Sequence, residues 1–247
     1  MNTVLITGAN KGIGFETARQ MAQLGYFVYL GSRDKARGLD AVKELNEQGL
    51  SNVELIEIDV TDIDSIKSAR LELENNIDAL DVLINNAGIS GGHSQNMSTV
   101  DIENLRRVFE TNFFGAVQTT QQFINLLKKS MSPVIVNVSS GLGSLSIHSN
   151  SQNSNYKIYD TYSCSKTALN AFTVMLSNEL KVVNLPGGGQ GFKINSVSPG
   201  YTATDLNNFK GTQTVAQGAR PIVKYATLDN NGPTGKFFYQ EDGEIPW

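Results

Sequence analysis

The chain has 247 residues, a net charge of −4 and one cysteine, Cys164. This length suits a single α/β domain, and the acidic balance speaks against nucleic-acid binding, which needs a basic face. No apolar run approaches the ~18 residues of a membrane span, and the start is too short and uncharged for a secretory signal. A lone cysteine excludes an intrachain disulfide and suits a reducing compartment. We therefore expect a cytoplasmic protein, in which Cys164 is a small buried filler.

Seven short apolar runs, without polar alternation, are spread along the chain. Such runs are typical of strands that are covered on both faces, as in parallel sheets. The predicted strands are Val4–Thr7, Phe27–Gly31, Val53–Asp59, Val82–Asn85, Val134–Ser139, Ile194–Ser198 and Lys236–Tyr239.

Helical patterning fills the intervals between these runs. Repeated strand–helix–strand alternation produces right-handed crossovers and an open sheet. The predicted fold class is α/β, a single domain over 1–247 with a Rossmann-like doubly wound parallel sheet of about seven strands and helices on both faces. The predicted helices are Ile13–Leu24, Lys35–Gln48, one that opens at Thr61-Asp62, and the long Thr111–Lys129 and Tyr162–Val183.

A glycine-rich segment, Thr7–Gly14, links the first strand to the first helix. Its spacing is G-x3-G-x-G, which differs from the general dinucleotide fingerprint but serves the same physics. Glycines allow close backbone approach, and the helix N-terminus presents free N–H groups to a pyrophosphate. A plain turn is the alternative, which the position at the first strand–helix junction disfavours. The predicted phosphate-binding residues are Gly8, Asn10, Lys11, Gly12, Ile13 and Gly14.

The end of the second strand bears on the choice of dinucleotide. NAD binders usually carry a carboxylate there for the ribose hydroxyls, whereas this strand ends in Gly31 and Ser32, followed by Arg33. Arg33 and Lys11 would both suit a 2′-phosphate, which favours NADP(H). Asp34 is placed slightly beyond the usual acidic position, where it would pair with Arg33 or cap the next helix.

The chain resembles a known family over nearly its whole length. The resemblance rests on motifs that occur in order: Thr7–Gly14, Asp59-Val60, Asn85–Gly88, Asn112, Ser139-Ser140, Tyr162–Lys166 and Pro199-Gly200. Each would be weak alone, but together and at strand ends they are specific. The family is the short-chain dehydrogenases/reductases. The segments Thr111–Gly115, Val136–Ser140 and Gly232–Trp247 are most similar to its carbonyl reductases.

The resemblance implies several cofactor contacts that the residues alone do not. Asp59 should bind the adenine amino group, with Val60 beside the ring, and Asn86, Ala87 and Gly88 should line the adenosine ribose. Pro199 and Gly200 should lead into Thr202 and Thr204, which should meet the carboxamide and the phosphates. Asn112 should hold a water that links Lys166 to a proton relay.

The predicted catalytic residues are Asn112, Ser140, Tyr162 and Lys166. Tyr162 and Lys166 are one helical turn apart, so the ammonium should lower the pKa of the phenol and grip the nicotinamide ribose. Tyr162 would then be the general acid in carbonyl reduction and the base in alcohol oxidation. Ser140, the second serine of its pair as in the family, is preferred over Ser139 for binding the substrate oxygen.

Other chemistries fit less well. The two histidines, His93 and His148, fall in polar stretches, and Ser140 lacks a G-x-S-x-G elbow, so Ser–His–Asp hydrolysis is disfavoured. Two such histidines and one cysteine do not give metal-ligand spacing, and no metal is expected. The leading hypothesis is an NADPH-dependent aldehyde or ketone reductase. The alternatives are an NAD(P)-dependent secondary-alcohol dehydrogenase and a non-catalytic NADPH sensor.

The chain departs from the family between Ser140 and Tyr162, where the gap is longer than usual. Extra residues within Ser144–Thr161 would shape the pocket, cover a face that relatives use for oligomerisation, or form an inert loop. Thr202–Gly218 leaves little room for a lid, which suggests an open pocket for a modest or bulky carbonyl substrate. The long helices would suit a homodimer or tetramer, with a monomer also open. Gly141–Asp160 and Pro186–Gly191 are predicted loops.

Overall fold

The first strand lies at the centre of one sheet and is fully buried. The computed structural model describes residues 1–92, 95–150, 159–189, 191–239 and 243–247. Within them, the sheet order is β3-β2-β1-β4-β5-β6-β7-β8. The strands are β1 Thr3–Ile6, β2 Phe27–Ser32, β3 Val53–Glu57, β4 Val82–Asn85, β5 Val134–Val138, β6 Lys193–Ser198, β7 Lys236–Tyr239 and β8 Gly243–Glu244.

All neighbouring strands run parallel except the last pair. The seven predicted strands are confirmed within one or two residues at each end, and the short β8, which the sequence did not reveal, runs antiparallel to β7. Two residues are too few for a periodic signal. The doubly wound parallel sheet predicted from the alternating pattern is therefore confirmed.

Helices cover both faces of the sheet. Val4 and Ile6 of β1 point into one apolar layer, with α1, α2 and α8, while Leu5 points into the other, with α3 and α5. Alternate side chains of a strand face opposite sides, so every apolar residue of such a strand is buried. The helices are α1 Gly12–Gln23, α2 Lys35–Glu47, α3 Ile63–Asn76, α4 Ile102–Phe109, α5 Gly115–Leu127, α6 Leu145–Ser149, α7 Asp160–Glu179 and α8 Val215–Ala226.

The predicted helix Thr111–Lys129 is in fact a composite. A π-helical turn, Glu110–Phe114, joins α4 to α5 and contains Asn112. The additional residue in a π turn shifts the helical phase, so the apolar period of α4 does not continue into α5. Sequence periodicity accordingly found only the second half of this element.

The predicted loop Gly141–Asp160 also contains regular structure. It begins with a 3-10 turn at Gly141–Gly143 and continues into α6. Residues 151–158 of the expected pocket-shaping segment Ser144–Thr161 lie outside the described residues. His93 also lies outside them. No helix in the described part of the chain is long and apolar enough to cross a membrane.

The topology places one crevice at the carboxyl ends of the strands. β1 pairs with β2 on one side and with β4 on the other. The strand order therefore runs outward from β1 to β3 on one side and continues from β4 on the other side. Ligands of open parallel sheets bind at such a switch point. The loops that follow β1, β2, β4, β5 and β6 meet there.

Candidate active site

The glycine-rich loop packs directly on the segment that follows β4. Gly8 has a φ of 62°, and a Cβ on it would lie 3.0 Å from the Cα of Ala87. A Cβ on Gly14 would lie 2.5 Å from Nδ2 of Asn86. Asn86 uses this nitrogen to donate to the carbonyl oxygens of Thr7 and Gly8, at 2.9 and 3.0 Å. A side chain larger than hydrogen is thus excluded at Gly8 and Gly14, where the loop packs closely on the segment after β4.

The N-terminus of α1 faces the same crevice. Its N-cap residue, Lys11, makes no side-chain hydrogen bond to the first turn. The first N–H groups of a helix have no partner within the helix and attract anions. The Lys11 ammonium forms an ion pair with Asp205, which lies after β6, across the crevice. Lys11 therefore links two walls of the site, whereas the sequence suggested only a phosphate contact.

Arg33 lies at the end of β2 with its side chain exposed. Asp34 does not pair with it: Asp34 caps α2 by accepting from the N–H of Arg37 at 3.1 Å, and it forms an ion pair with the Arg37 guanidinium at 3.4 Å. Within the described residues, Arg33 has no ion-pair partner. Its guanidinium is therefore available to a ligand at this end of the crevice.

The third strand supplies the opposite wall at this end. Asp59 accepts from the N–H and the hydroxyl of Thr61, at 2.9 and 2.7 Å through the same oxygen, Oδ1. Val60 is buried and packs on Gly115, where a Cβ would lie 2.8 Å from a Val60 methyl. A carboxylate and an apolar side chain thus line the crevice beside each other, as expected for an adenine site.

The polar residues at the other end of the crevice come from β5 and α7. Ser140 follows β5, and Tyr162 and Lys166 lie one turn apart on α7. The Lys166 ammonium donates to the carbonyl oxygen of Val138 at 2.8 Å and lies 5.6 Å from the centre of the Tyr162 ring. The structure thus brings the three predicted residues together.

Burial controls the charge states at this centre. Desolvation raises the pKa of Tyr162 to about 12, partly offset by a hydrogen bond from Ser140. Desolvation also lowers the pKa of Lys166 to about 8. The sequence-based prediction of a lowered pKa for Tyr162 is wrong, because withdrawing the phenol from water raises this pKa. Tyr162 is accordingly a neutral phenol at neutral pH, with its proton in place.

The two serines after β5 have different surroundings. The Ser140 hydroxyl accepts from the N–H of Leu142 at 3.2 Å and hydrogen bonds to Tyr162. Ser139 is buried, and its hydroxyl has no hydrogen-bond partner among the described residues. Contact with Tyr162 favours Ser140, as preferred from the sequence.

Asn112 is buried in the π turn and holds two elements together. Its Oδ1 accepts from the N–H of Ile89 at 2.8 Å, and its Nδ2 donates to the Ile89 carbonyl and to the Ser165 hydroxyl, both at 3.0 Å. A Cβ on Gly88 would lie 3.3 Å from Oδ1 of Asn112 and 3.6 Å from Nζ of Lys166. Asn112 and the Lys166 ammonium therefore both lie close to Gly88.

Together these residues surround a cleft of about 480 Å³. It contains every predicted site residue except Asn112, which lies behind the Ile89 wall. Thr202 turns its hydroxyl inward to the Pro199 and Gly200 carbonyls, at 3.3 and 3.4 Å, so it offers mainly backbone to a ligand. The sequence analysis missed seven apolar or aromatic lining residues, which carry no local motif: Ile58, Ile89, Val138, Leu142, Tyr159, Tyr201 and Leu206.

The cleft fits a dinucleotide on the evidence of its own residues. The glycine loop is a cradle that a Cβ would fill, and the α1 N-terminus offers uncapped N–H groups. Arg33 supplies an unpaired cation at the far end, one strand away from Asp59. These features fit the phosphates and the adenosine end of a dinucleotide.

Cys164 is not the buried filler expected from the sequence. It is exposed on α7, and burial of part of its surface together with the Asp160 charge raises the pKa of its thiol. Being at i+2 from Tyr162, it faces away from the side of α7 that carries Tyr162 and Lys166.

Comparison with known proteins gives one family. A model of the short chain dehydrogenase family matches residues 2–214. (+)-Neomenthol dehydrogenase from Capsicum annuum is 32% identical, with 96% of this chain and 95% of that protein covered. (−)-Isopiperitenone reductase from Mentha piperita is 31% identical, with 95% of each covered. The structure of NADPH-bound carbonyl reductase from chicken fatty liver superposes with a TM-score of 0.84 at 26% identity, covering 100% of this chain and 99% of that chain.

Proposed function

This chain belongs to the short-chain dehydrogenase/reductase family, and from that premise we propose that it is an NADPH-dependent reductase of aldehydes or ketones. The observation that carries the proposal is the meeting of Ser140, Tyr162 and Lys166 at one end of a cleft that ends at Arg33. A carbonyl-reducing site needs a proton donor, a donor that holds the developing oxyanion, and a place for the dinucleotide.

The proton donor in this proposal is the Tyr162 phenol. Bound NADPH would supply the hydride to the carbonyl carbon. As that bond forms, the carbonyl oxygen becomes negative and takes the proton from Tyr162, giving the alcohol and a tyrosinate. In this proposal the single O–H of Ser140 turns from Tyr162 to the same oxygen when the substrate binds, while the Ser140 oxygen keeps its hydrogen bond from the Leu142 N–H.

Lys166 supports the tyrosinate that results from this step. Its ammonium lies 5.6 Å from the centre of the Tyr162 ring. An opposite charge at this distance stabilises the anion in a site with little water. In this proposal solvent then returns a proton to Tyr162 by way of Lys166, whose ammonium lies beside Gly88.

Arg33 is the group that selects NADPH over NADH. A 2′-phosphate would accept two parallel hydrogen bonds from its guanidinium, and Asp34 is held by α2 and Arg37 and does not compete. Lys11 would add a second charge only by leaving Asp205.

The substrate side of the cleft favours apolar carbonyl compounds. The wall of the cleft includes five apolar or aromatic residues besides Ser140 and Tyr162: Ile89, Leu142, Tyr159, Tyr201 and Leu206. Burying an apolar substrate there removes about 25 cal/mol of unfavourable free energy for each Å² withdrawn from water. We therefore propose medium-sized, uncharged cyclic or aromatic ketones and aldehydes.

Alcohol oxidation is a second candidate, favoured by the name of the pepper relative, a dehydrogenase. The same residues serve both directions, because the tyrosinate that ends reduction is the base that begins oxidation. The reverse reaction with NADP⁺ and cyclic alcohols therefore belongs in the first assay.

The deciding experiment follows NADPH and NADH oxidation at 340 nm with cyclic ketones, aromatic aldehydes and diketones, and measures the binding of each dinucleotide in parallel. We expect turnover of at least one apolar carbonyl with NADPH and much less with NADH. Tight NADPH binding without turnover in either direction would replace the enzyme by an NADPH sensor. Preference for NADH would overturn the role of Arg33.

A cytoplasmic location is also part of the proposal. The single cysteine cannot form an intrachain disulfide and suits a reducing compartment. Fractionation of the source cells should recover the protein with the cytosol, and its recovery in the membrane or secreted fraction would contradict this.

A further inference from the structure

Gln95 is a buried side chain that the reaction scheme does not use. It is 1% exposed, and a polar group so deeply buried is costly unless hydrogen bonded. Its amide is fully engaged, and every partner is a backbone group. Nε2 donates to the carbonyl oxygens of Ser90 and Gly92, at 2.7 and 2.5 Å, and Oε1 accepts from the N–H of Tyr162 at 3.0 Å.

The first two partners belong to the wall of the cleft. Ile89 and Ser90 line it, and Gly91 and Gly92 follow with φ values of 84° and 78°. The carbonyls of this segment are held in succession by side-chain amides: Ile89 by Asn112, Ser90 and Gly92 by Gln95, and Gly91 by Asn104 at 2.9 Å. Segment 89–92 is thus fixed by side chains, without belonging to a strand or helix.

The third partner lies in the first turn of α7. That helix has no side-chain cap from its own N-cap residue, Tyr159. The first N–H groups of a helix need an acceptor, and loss of a cap typically costs about 1 kcal/mol. Gln95 supplies an acceptor from a loop that is 67 residues away in sequence.

The backbone of Tyr162 is consequently held on both sides. Its N–H donates to Gln95, and its carbonyl accepts from the Ser165 hydroxyl at 2.7 Å, which in turn accepts from Asn112. Asn112 and Gln95 are also the two side chains that fix Ile89 and Ser90. Two amides therefore join the substrate wall to the residue that gives up the proton.

We propose that Gln95 is a positioning residue: it caps α7 at Tyr162 and couples the Ile89–Gly92 wall to the position of the Tyr162 phenol. This rests on the proposed reductase function for its kinetic consequences, but not for its structural ones. The acceptor half of the amide serves the catalytic helix, and the donor half serves the substrate wall.

Two variants separate the two halves. Gln95→Met has a similar shape and loses all three hydrogen bonds. Gln95→Glu keeps an acceptor for the Tyr162 N–H but loses the donors to Ser90 and Gly92. Gln121→Met, the same change at an exposed position of α5, is the matched control.

The kinetic readout is the division of the effect between kcat and KM for a carbonyl substrate. We expect Gln95→Met to lower kcat about tenfold or more and to raise KM, and Gln95→Glu to retain kcat within about threefold while KM rises, with Gln121→Met like the wild type. NADPH affinity should change less than about twofold in all three. Equal kcat in Gln95→Met and the wild type, or no recovery of kcat in Gln95→Glu, would overturn the proposal.

Amide hydrogen exchange at Tyr162 tests the cap without any substrate. We expect exchange to be about fivefold faster in Gln95→Met, in line with the loss of one cap, and close to wild type in Gln95→Glu. Unchanged exchange in Gln95→Met would overturn the capping role. The exchange rates could change as expected while neither the wild type nor any variant reduces a carbonyl compound. In that case the reductase proposal fails and the positioning of Tyr162 by Gln95 stands.

Discussion

Burial of the Lys166 ammonium destabilises the native state, because the charge is withdrawn from water. Its side chain is 3% exposed and its pKa is lowered to about 8 from 10.5 by desolvation. Below pH 8 the ammonium is charged in both the native and the unfolded chain, so the native state carries the full desolvation cost. Between pH 8 and 10.5 the unfolded chain holds the proton more tightly, and stability rises with pH across this window.

Lys166→Met should therefore stabilise the protein at neutral pH while abolishing turnover. We expect a gain of about 1–3 kcal/mol at pH 7, because the loss of a buried charge exceeds the loss of one hydrogen bond to Val138. The gain should shrink as pH rises through 8 towards 10.5. Urea unfolding at pH 7 and pH 10 measures it, with the exposed Lys129→Met as control; a variant less stable than wild type at pH 7 would contradict this account.

Arg33→Ala should weaken NADPH binding and leave NADH binding unchanged. Charge-assisted hydrogen bonds to a phosphate contribute about 1.5–3 kcal/mol, which corresponds to roughly a 10–100-fold rise in the Kd for NADPH. Arg220→Ala, at an exposed position of α8, is the control. Calorimetric titration with both dinucleotides measures the effect, and an equal loss for NADH would remove the 2′-phosphate contact.

Single residues show what sequence can and cannot predict here. Ser140, Tyr162 and Lys166 are predictable because they stand in motifs of the family that the chain resembles. The four-residue spacing of Tyr162 and Lys166 adds a local relation, since it places both on one face of a helix. Gln95 was missed because its contacts join residues that are 67 apart in sequence. The direction of the Tyr162 pKa shift was mistaken because desolvation depends on the closed surroundings of the phenol, which no local pattern records.

Helix α7 owes its position to a row of buried polar groups. Asn137 of β5 accepts from Asn85 of β4 at 2.8 Å and donates to Thr173 of α7 at 2.8 Å. Thr173 also hydrogen bonds to Ser196 of β6 at 2.8 Å and donates to the Leu169 carbonyl at 3.0 Å. Three strands are thus joined to the helix that carries Tyr162.

Thr173→Val should destabilise the protein with little change of shape. The Asn137 amide and the Ser196 hydroxyl would lose a buried partner, at a cost of about 1–3 kcal/mol. Thr99→Val, at an exposed position, is the control and should be neutral. Urea unfolding measures the difference, and equal stability of the two variants would show that this row of hydrogen bonds adds nothing.

At the level of elements, the spacing of apolar residues in the sequence predicted the seven long strands but only some of the helices. Strands buried on both faces give unbroken apolar runs, so β1 and β5 were recognised directly. The π turn at Glu110–Phe114 breaks the helical period and hid α4. The 12-residue α8 was missed because Gly218 and Pro221 interrupt it. Gly218 is needed in α8 because the helix lies against Thr202 there and leaves no room for a side chain.

Among the described residues, the eight-stranded sheet carries the crevice that holds the candidate site. Residues as far apart as Gly8, Arg33 and Tyr162 line the same cleft because parallel strands present all their carboxyl ends at one edge. The sequence predicted this assembly from the order of motifs along alternating strands and helices. It did not predict the substrate wall, since Leu142 and Tyr201 acquire that role only from where the loops meet.

The central claim is that Tyr162 supplies the proton in NADPH-dependent carbonyl reduction, and Tyr162→Phe tests it most directly. Tyr26→Phe, just before β2 at the opposite edge of the sheet, is the matched control. Turnover at 340 nm and NADPH binding are measured on both variants. We expect Tyr162→Phe to lose about a thousandfold or more in kcat with NADPH affinity within about twofold, and Tyr26→Phe to resemble the wild type. Substantial turnover by Tyr162→Phe would contradict the account.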